Sequence, residues 1–238
     1  MDHSHLAANW AAVRRRVDEA CRAAGRDPSE VAILPVSKTC DADVVRAAVA
    51  LGMHRFGENR VQEIRDKATA LAGCDIAWVV IGHLQTNKAK DVARLASELQ
   101  SLDREELAAA LHRRLLAEGR SLDVLVQVKT AREESKSGLP PAALPAFLDQ
   151  LRHYDTLRVR GLMTMATHVD DPAEIRACFR RLRELRDAEA ACGHALPRLS
   201  MGMSGDFPLA IAEGSTEVRI GTAIFGRRDR PPGETAPA

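Results

Sequence analysis

The stretch "ILPVSKTC", residues 33–40, joins a strand-forming sequence to an unexpected lysine. Residues 31–36 are an apolar run with the length and composition of a buried β-strand. The run is followed by Ser37 and Lys38, although a lysine ammonium must stay hydrated or paired and is costly to place against a core. A solvated lysine at a strand end is the simplest interpretation. The alternative is that Lys38 performs chemistry at the tip of the strand.

The composition is that of an ordinary globular protein. The 238 residues are 45% hydrophobic and 28% charged, which suits one large domain or two small ones. The formal net charge is +1, so no overall field favours nucleic acid or an anionic membrane as a partner. Only 6 of the 34 basic residues are lysines, which makes each lysine worth examining.

The cysteines and the apolar segments indicate a compartment. The five cysteines are scattered and none belongs to a CxxC pair, which favours a reducing compartment and argues against disulfides or a structural metal site. The first residues, "MDHSHLAANWAAVRRR", lack the pattern of a signal peptide. No apolar stretch approaches the roughly 18 residues of a membrane span. We therefore expect a cytoplasmic protein without a membrane segment.

Strand-like segments alternate with helical ones along the chain. The predicted strands are 31–36, 54–56, 77–81, 97–101, 122–128, 157–162, 197–200 and 216–220. The predicted helices are 41–51, 58–72, 87–95, 103–118, 141–153, 173–191 and 205–213, preceded by an amphipathic first helix with Leu6, Trp10, Val13, Val17 and Cys21 on one face. Asp103 and Asp171 are predicted helix N-caps, and Pro172 suits a first helical turn.

This alternation predicts the fold class. Strict β/α alternation implies a parallel sheet, and eight such units in roughly 200–250 residues correspond to a closed (β/α)8 barrel, the TIM barrel. A doubly wound open sheet is the alternative. We expect residues 1–228 to form a single domain, with an extra N-terminal helix. The Pro-rich, polar residues 229–238 are expected to form a flexible tail.

The loops after strands seven and eight are where such barrels often bind phosphate. "SMGMSG" and "IGT" place small residues and hydroxyls directly before helix starts, where backbone N–H groups can close on an anion. Glycines that only serve tight turns are the alternative. Asp206 would repel a phosphate from this position unless its carboxylate points away.

Lys38 and Arg219 complete this prediction. A partly desolvated lysine at a strand tip can lose its proton and attack an aldehyde to form a Schiff base, and an aldehyde with a phosphate group is pyridoxal phosphate. Arg219 interrupts the apolar strand "EVRIG" beside the phosphate loop. A buried ion pair is one explanation for it. The other is a hydrogen bond to the cofactor's pyridine nitrogen, which would leave the ring uncharged and a weak electron sink.

Several longer motifs resemble one known family. The stretches "PVSKT", "RFGENRVQE", "WVVIGHLQTNK", "GLMTMA" and "LSMGMSGDFPLAIAEGSTEVRIGTAIFG" are spread over most of residues 30–226. Together they resemble the pyridoxal phosphate homeostasis proteins, single-barrel proteins similar to the N-terminal domain of alanine racemase. The resemblance implies a fold-type III barrel that binds, buffers and delivers pyridoxal phosphate to apo-enzymes, without an established catalytic turnover.

The resemblance also implies a set of site residues. It gives the Schiff-base role to Lys38 and the pyridine-nitrogen contact to Arg219. It assigns phosphate contacts to Ser200, Ser204, Gly221 and Thr222, and positions that line the cofactor to Asn59 and Met203. In addition, Lys136 in "ESKSG" follows strand five at the same face of the barrel. It is a candidate secondary lysine for cofactor entry or exit, or else a solvated loop lysine.

Three other functions compete with the carrier. An amino-acid racemase of this fold needs a tyrosine opposite the lysine, from the second domain of a partner subunit. The only tyrosine, Tyr154, is predicted on the wrong side of the barrel, and the chain after strand eight is too short for a second domain, so we expect a monomer with poor racemisation. A Schiff-base aldolase would use Lys38 without a cofactor. Nucleic acid could bind Arg176, Arg180 and Arg183, but nearby acidic residues dilute their charge and favour a solvated helix face.

Overall fold

The alternating segments fold into eight parallel strands in one sheet. The computed structural model describes residues 4–131, 137–166 and 171–226. The strands are β1 (Ala32–Pro35), β2 (Arg55–Glu58), β3 (Ala77–Val80), β4 (Ala96–Leu102), β5 (Leu122–Gln127), β6 (Leu157–Met163), β7 (Arg198–Met203) and β8 (Glu217–Ile220). They follow the order β1-β8-β7-β6-β5-β4-β3-β2, so the first and second strands lie at the two edges.

The two edges meet and nearly close the barrel. Val36 forms an isolated parallel bridge with Gly57, and the N–H of Ser37 donates to the carbonyl of Gly57 at 3.1 Å. The predicted (β/α)8 barrel is therefore confirmed, and the open doubly wound sheet is not formed. Because the strands are parallel, their C-terminal ends all lie at one rim of the barrel, where the chain turns from each strand into the next helix.

Helices surround the strands, as the apolar periodicity predicts. They are α1 (Ser4–Ala23), α2 (Ala42–Ala50), α3 (Val61–Ala70), α4 (Ala89–Leu95), α5 (Glu105–Glu118), α6 (Leu144–Leu151), α7 (Pro172–Ala191), α8 (Phe207–Ala212) and α9 (Thr222–Phe225). Short 3-10 turns occupy Pro28–Glu30, Thr86–Lys88 and Pro141–Ala143. The extra helix α1 buries its predicted apolar face against α8 and α9, and Asn9 donates to the carbonyl of Ile224 at 3.0 Å. No helix in the described residues is long and apolar enough to cross a membrane.

One of the two predicted N-caps is confirmed. The Asp171 side chain accepts from the N–H of Ala173 at 2.9 Å, with Pro172 in the first turn of α7. The prediction for Asp103 is wrong, because α5 begins later, with Arg104 at its N-cap. The Asp103 carboxylate instead pairs with the Arg104 guanidinium at 2.6 Å.

The barrel interior is charged at the end where the strands begin, opposite the rim at which they run into helices. Arg55, Glu98, Arg198 and Glu217, which we call the lower ion cluster, stand at or near the starts of four strands. Their guanidinium and carboxylate groups lie 2.8–3.0 Å apart. Both carboxylates are buried, whereas both guanidiniums are partly exposed. Each buried carboxylate is thus compensated by two cations, which its removal from water requires.

The arginine face of α7 is partly exposed, as predicted for a solvated face, but it also makes a specific contact. Arg176, Arg180 and Arg183 all reach one buried carboxylate, Glu213, at the C-terminus of α8, over 3.2–3.4 Å. Burial alone would raise the pKa of Glu213, but these arginines lower it below its ordinary value of 4.5. These three arginines therefore fasten α7 to α8 while their side chains stay partly exposed.

This arrangement predicts acid-sensitive stability. Because the pKa of Glu213 is lower in the folded state, its stabilising effect is present above pH 4.5 and is lost as the pH falls through the folded value. Glu213→Gln should lower the free energy of unfolding by roughly 1.5–3 kcal/mol at about pH 7, and by less at about pH 3.5. Urea titrations at the two pH values measure this. Glu118→Gln, which removes an exposed pair with Arg94, is the control. An equal loss at both pH values would contradict the prediction.

Candidate functional site

A cavity of about 400 Å³ opens at the C-terminal ends of the strands. Its volume lies within the range of small-molecule sites, roughly 300–1,000 Å³. Seven of the eight cofactor residues implied by the resemblance line it: Lys38, Asn59, Met203, Ser204, Arg219, Gly221 and Thr222. Chain segments far apart in sequence thus converge on one space.

Lys38 stands on a tightly held turn after β1. Thr39, the next residue, has a φ of 66°, a left-handed conformation that is costly for a β-branched residue. Its N–H donates to the Glu63 carboxylate, which holds the turn in place. Lys38 itself is exposed at the cavity wall. The predicted partial desolvation of this lysine is therefore wrong for the structure described here.

A second lysine anchors this turn from below. Lys67 is 6% exposed, and its ammonium donates to the carbonyl of Ser37 at 2.8 Å and to the Glu58 carboxylate at 2.6 Å. Glu63 also accepts from Lys67, at 3.3 Å. The Ser37 hydroxyl donates to Glu58 at 2.6 Å. One buried ion pair thus binds the end of β2 and helix α3 to the residue directly before Lys38.

The buried Glu58 carboxyl has hydrogen-bond partners at only one of its two oxygens. It is fully buried, and its Oε2 is the one buried side-chain polar atom of the described residues without a hydrogen-bond partner. Burial raises the pKa of Glu58 above 4.5, although hydrogen bonds from Lys67 and Ser37 oppose the change. The pair therefore depends on Lys67, since removal of the ammonium would leave a buried carboxyl with only a hydroxyl partner.

Arg219 forms the floor of the cavity. It is 4% exposed, and its guanidinium donates to the carbonyl of Ser200 at 2.8 Å, to the Ser200 hydroxyl at 2.7 Å and to the carbonyl of Thr164 at 2.8 Å. Burial lowers the pKa of Arg219 to about 10, so it remains protonated at neutral pH. The buried ion pair considered from the sequence is absent among the described residues. Two of the five guanidinium N–H donors are left over by these bonds.

Ser200 lies outside the cavity, unlike the other predicted residues. It is fully buried, and its hydroxyl donates to Gln100 at 2.7 Å while it accepts from Arg219. The single O–H of Ser200 is therefore already used, and none is left to donate to a phosphate oxygen. The structure gives Ser200 the role of a support for Arg219, which corrects the expected phosphate contact.

The loops after β7 and β8 carry the other two hydroxyls. Ser204 is half-buried and Thr222 is exposed, each beside a glycine that lines the cavity. The Asp206 carboxylate accepts from the N–H of Met203 at 2.6 Å, so it is turned into its own loop. Within the described part of the chain, the N–H groups of Ser204 and Gly205 have no backbone acceptor. Anion-binding donors thus remain at this rim despite the nearby carboxylate.

The other side of the same cavity is lined by residues that the motifs alone did not assign. Gly82 packs so closely on Asn59 that a Cβ would lie 2.3 Å from the Asn59 carbonyl oxygen, so only glycine fits. His83 also lines the cavity, with its Nδ1 3.6 Å from the Asp103 carboxylate. Gln127 lines it from β5 and donates to the carbonyl of Ser137 at 2.8 Å. Their signal in the sequence was their position at strand ends.

Three other sequence predictions have different outcomes. Tyr154 lies directly before the start of β6 and outside the cavity lining, and its hydroxyl lies 3.4 Å from Glu105 of α5. Its predicted location is confirmed. Lys136 and the tail 229–238 lie outside the described residues, so both remain predictions.

Comparisons with known proteins agree with this fold and cavity. The sequence profile of the alanine racemase N-terminal domain matches residues 1–229. The pyridoxal phosphate homeostasis proteins of Pseudomonas aeruginosa and Aquifex aeolicus are 43% and 42% identical to this chain, over 95% and 91% of it and 97% and 95% of their own lengths. PipY of Synechococcus elongatus, solved with PLP bound, has a TM-score of 0.82 at 37% identity, covering 93% of this chain and all of that one.

These findings define first a class of protein: a barrel of the alanine racemase N-terminal type, with a lysine at the tip of its first strand. Within that class, the chain belongs to the family of pyridoxal phosphate homeostasis proteins. The resemblance seen in the sequence motifs is thereby confirmed.

The buried Lys67–Glu58 pair generates a stability prediction. Lys67→Met should lower the free energy of unfolding by roughly 3–5 kcal/mol, because it leaves Glu58 buried without its cation. The double variant Glu58→Gln, Lys67→Met should recover a large part of this loss, since no charge remains unpaired. Lys90→Met, at an exposed lysine of α4, is the control and should change stability by less than about 0.5 kcal/mol. Urea unfolding tests all three, and a Lys67→Met loss no larger than the control would refute the pairing.

Proposed function

We propose that this chain binds pyridoxal 5'-phosphate through Lys38, buffers it, and delivers it to apo-enzymes that need it. The observation that supports this most is the convergence of three unlike groups on one cavity: an amine, a fixed guanidinium, and two hydroxyl-bearing loops. The names of relatives over 40% identical, and the PLP in the PipY structure, support the same cofactor.

The residues of the cavity fit this cofactor part by part. When bound, pyridoxal phosphate supplies an aldehyde, which condenses with a primary amine with loss of water. Lys38 is the lysine of the described cavity lining that offers such an amine. Ser204, Thr222 and the N–H groups around them suit the phosphate oxygens, while Arg219 suits the ring nitrogen. Asn59 and Met203 line the space between these contacts.

Lys38 generates the first test of this proposal. With pyridoxal phosphate the protein should become yellow, and borohydride should fix the cofactor to the Lys38 peptide. Lys38→Ala should lose the visible band, whereas Lys90→Ala should keep it. Absorbance and peptide mass mapping provide the readouts. A label on another lysine, or a colourless protein after incubation, would overturn the assignment. A cofactor-free Schiff-base aldolase, the alternative use of Lys38, would likewise show no visible band.

The two loops generate the second test. A double variant, Ser204→Ala with Thr222→Val, should bind pyridoxal phosphate roughly ten- to a hundredfold more weakly, because charge-assisted hydrogen bonds are lost. Pyridoxal without its phosphate should lose far less affinity in the same variant. Fluorescence titration measures both ligands. Equal affinity of parent and variant for pyridoxal phosphate would remove the phosphate role from these hydroxyls.

A racemase is the second candidate, and two observations weigh against it. Arg219 keeps its own proton and so leaves the ring nitrogen uncharged, which makes the ring a weak electron sink. The one tyrosine of the sequence, Tyr154, is not among the residues that line the cavity, and its hydroxyl contacts Glu105, so it is not placed to act as a second base in this chain. We propose a carrier with at most slow proton exchange on amino acids.

Incubation with L-alanine in deuterated water tests this choice. The loaded protein should exchange the α-proton slowly and form little D-alanine. Proton NMR and chiral chromatography follow the two products. Rapid exchange together with D-alanine, at rates typical of enzymes, would favour the racemase. Exchange with retained configuration would assign the base to Lys38 and leave the carrier role intact.

The proposal extends to location and partners. A monomer in the cytoplasm, without nucleic acid or membrane as a partner, suits a carrier that meets many apo-enzymes. The near-neutral charge and the scattered cysteines, none in a CxxC pair, support this setting. Lys136 is retained as a candidate secondary lysine for the cofactor.

A further inference from the structure

The charge of Arg219 raises a question of compensation. The guanidinium is almost completely buried, yet within the described ranges no carboxylate lies at ion-pair distance from it. A buried cation without compensation is costly. A direct carboxylate partner would lower that cost but would also occupy the donors that face the cavity. The structure must therefore stabilise the charge from further away.

A continuous series of hydrogen bonds leads from Arg219 away from the cavity. Arg219 donates to the Ser200 hydroxyl at 2.7 Å, and this hydroxyl donates to the Gln100 side-chain oxygen at 2.7 Å. The Gln100 amide nitrogen then donates to Glu98 at 2.7 Å and to Glu217. Every donor in the series points in the same direction, from the cation towards two carboxylates. Such chains polarise cooperatively.

The far end of the series is fixed by charge. Gln100 is fully buried between Glu98 and Glu217 of the lower ion cluster. Burial alone would raise the pKa of Glu217, but Arg55 and Arg198 hold it below its ordinary value. An ionised carboxylate accepts only, so the Gln100 nitrogen must face the carboxylates and its oxygen must face Ser200. The direction of each bond is thus determined.

We infer that Gln100 and Ser200, the Gln100 relay, are positioning residues that tie the Arg219 guanidinium to the carboxylates of the lower ion cluster. This inference rests on the proposed function where it concerns the ring nitrogen of pyridoxal phosphate. The relay stabilises the buried cation and fixes the plane of the guanidinium. Because its partners are neutral, it leaves the remaining N–H donors available to the cavity.

The cofactor-free protein gives the first test. Ser200→Ala and Gln100→Met should each shift or broaden the ¹H–¹⁵N signals of the Arg219 guanidinium. Ser215→Ala is the matched control, because Ser215 is an equally buried serine that bonds backbone carbonyls of β7 and β8 without contacting Arg219. It should leave those signals in place. Signals that move no more in Ser200→Ala than in Ser215→Ala would overturn the relay, whatever the protein binds.

The loaded protein gives the second test. With ¹⁵N-labelled pyridoxal phosphate, the ring-nitrogen signal should move towards that of the free cofactor in Ser200→Ala and Gln100→Met but not in Ser215→Ala. Affinity should fall about two- to tenfold in each relay variant, the equivalent of one neutral hydrogen bond. The double variant should lose no more affinity than the single variant that binds more weakly, because both residues act in one series of hydrogen bonds. Additive losses with an unmoved ring signal would indicate ordinary destabilisation and refute the relay.

These outcomes separate the two claims. If the parent protein binds no pyridoxal phosphate, the proposed function fails while the guanidinium signals still test the relay. If the parent binds and the relay variants match Ser215→Ala in every readout, the relay fails and the proposed function stands. If Gln100→Met fails to fold, Ser200→Ala alone carries the test, since it removes one hydroxyl group and no carbon atom.

Discussion

The buried positive charge of Arg219 is the constraint around which the barrel interior is arranged. A guanidinium cannot give up its proton at neutral pH, so the surroundings must compensate it. Two backbone carbonyls and the Ser200 hydroxyl do so directly, and the carboxylates of Glu98 and Glu217 do so through two side chains, Ser200 and Gln100. A TIM barrel normally fills this space with branched apolar side chains. Here part of that apolar layer has been replaced by polar groups, which makes the floor of the cavity rigid and directional.

The amine of the cavity is positioned by a different principle. Lys38 is exposed and has no described ion pair of its own, whereas Lys67, directly beneath its turn, is buried and paired with Glu58. The cost of desolvation therefore falls on the buried ammonium of Lys67 and not on the exposed ammonium of Lys38. The left-handed Thr39 is held by Glu63, which also contacts Lys67. One small network thus fixes the backbone on both sides of Lys38 while its side chain stays exposed at the cavity wall.

The barrel could be predicted from the sequence because the spacing of apolar residues distinguishes strands from helices, whatever specific contacts the side chains make. The sequence predicted Lys38 and Arg219 because a charged residue within or directly after an apolar strand is conspicuous. Ser200 was misassigned because "LSMGMSG" places two serines four residues apart, and only the depth of each along β7 separates the buried one from the one at the rim. Glu98 and Gln100 alternate in β4 and are both buried, but the sequence analysis did not predict an inward polar face there. Their partners on β7 and β8 could not be named, since pairing across the barrel depends on register.

The exposure of the cavity suits the exchange that a carrier requires. A tight, closed site would hold its cofactor and release it slowly, because most differences in affinity lie in the dissociation rate. In this barrel the deepest contact, Arg219, is fixed, while Lys38 and Thr222 stand at an open rim. Water can therefore reach the bond that an amine and an aldehyde form, and hydrolysis regenerates both partners. Under the proposed function, the fixed geometry at the floor would give selectivity for the ring of pyridoxal phosphate, and solvent access at the rim would make its binding reversible. The division between these two regions follows directly from which charges the fold buries and which it leaves exposed.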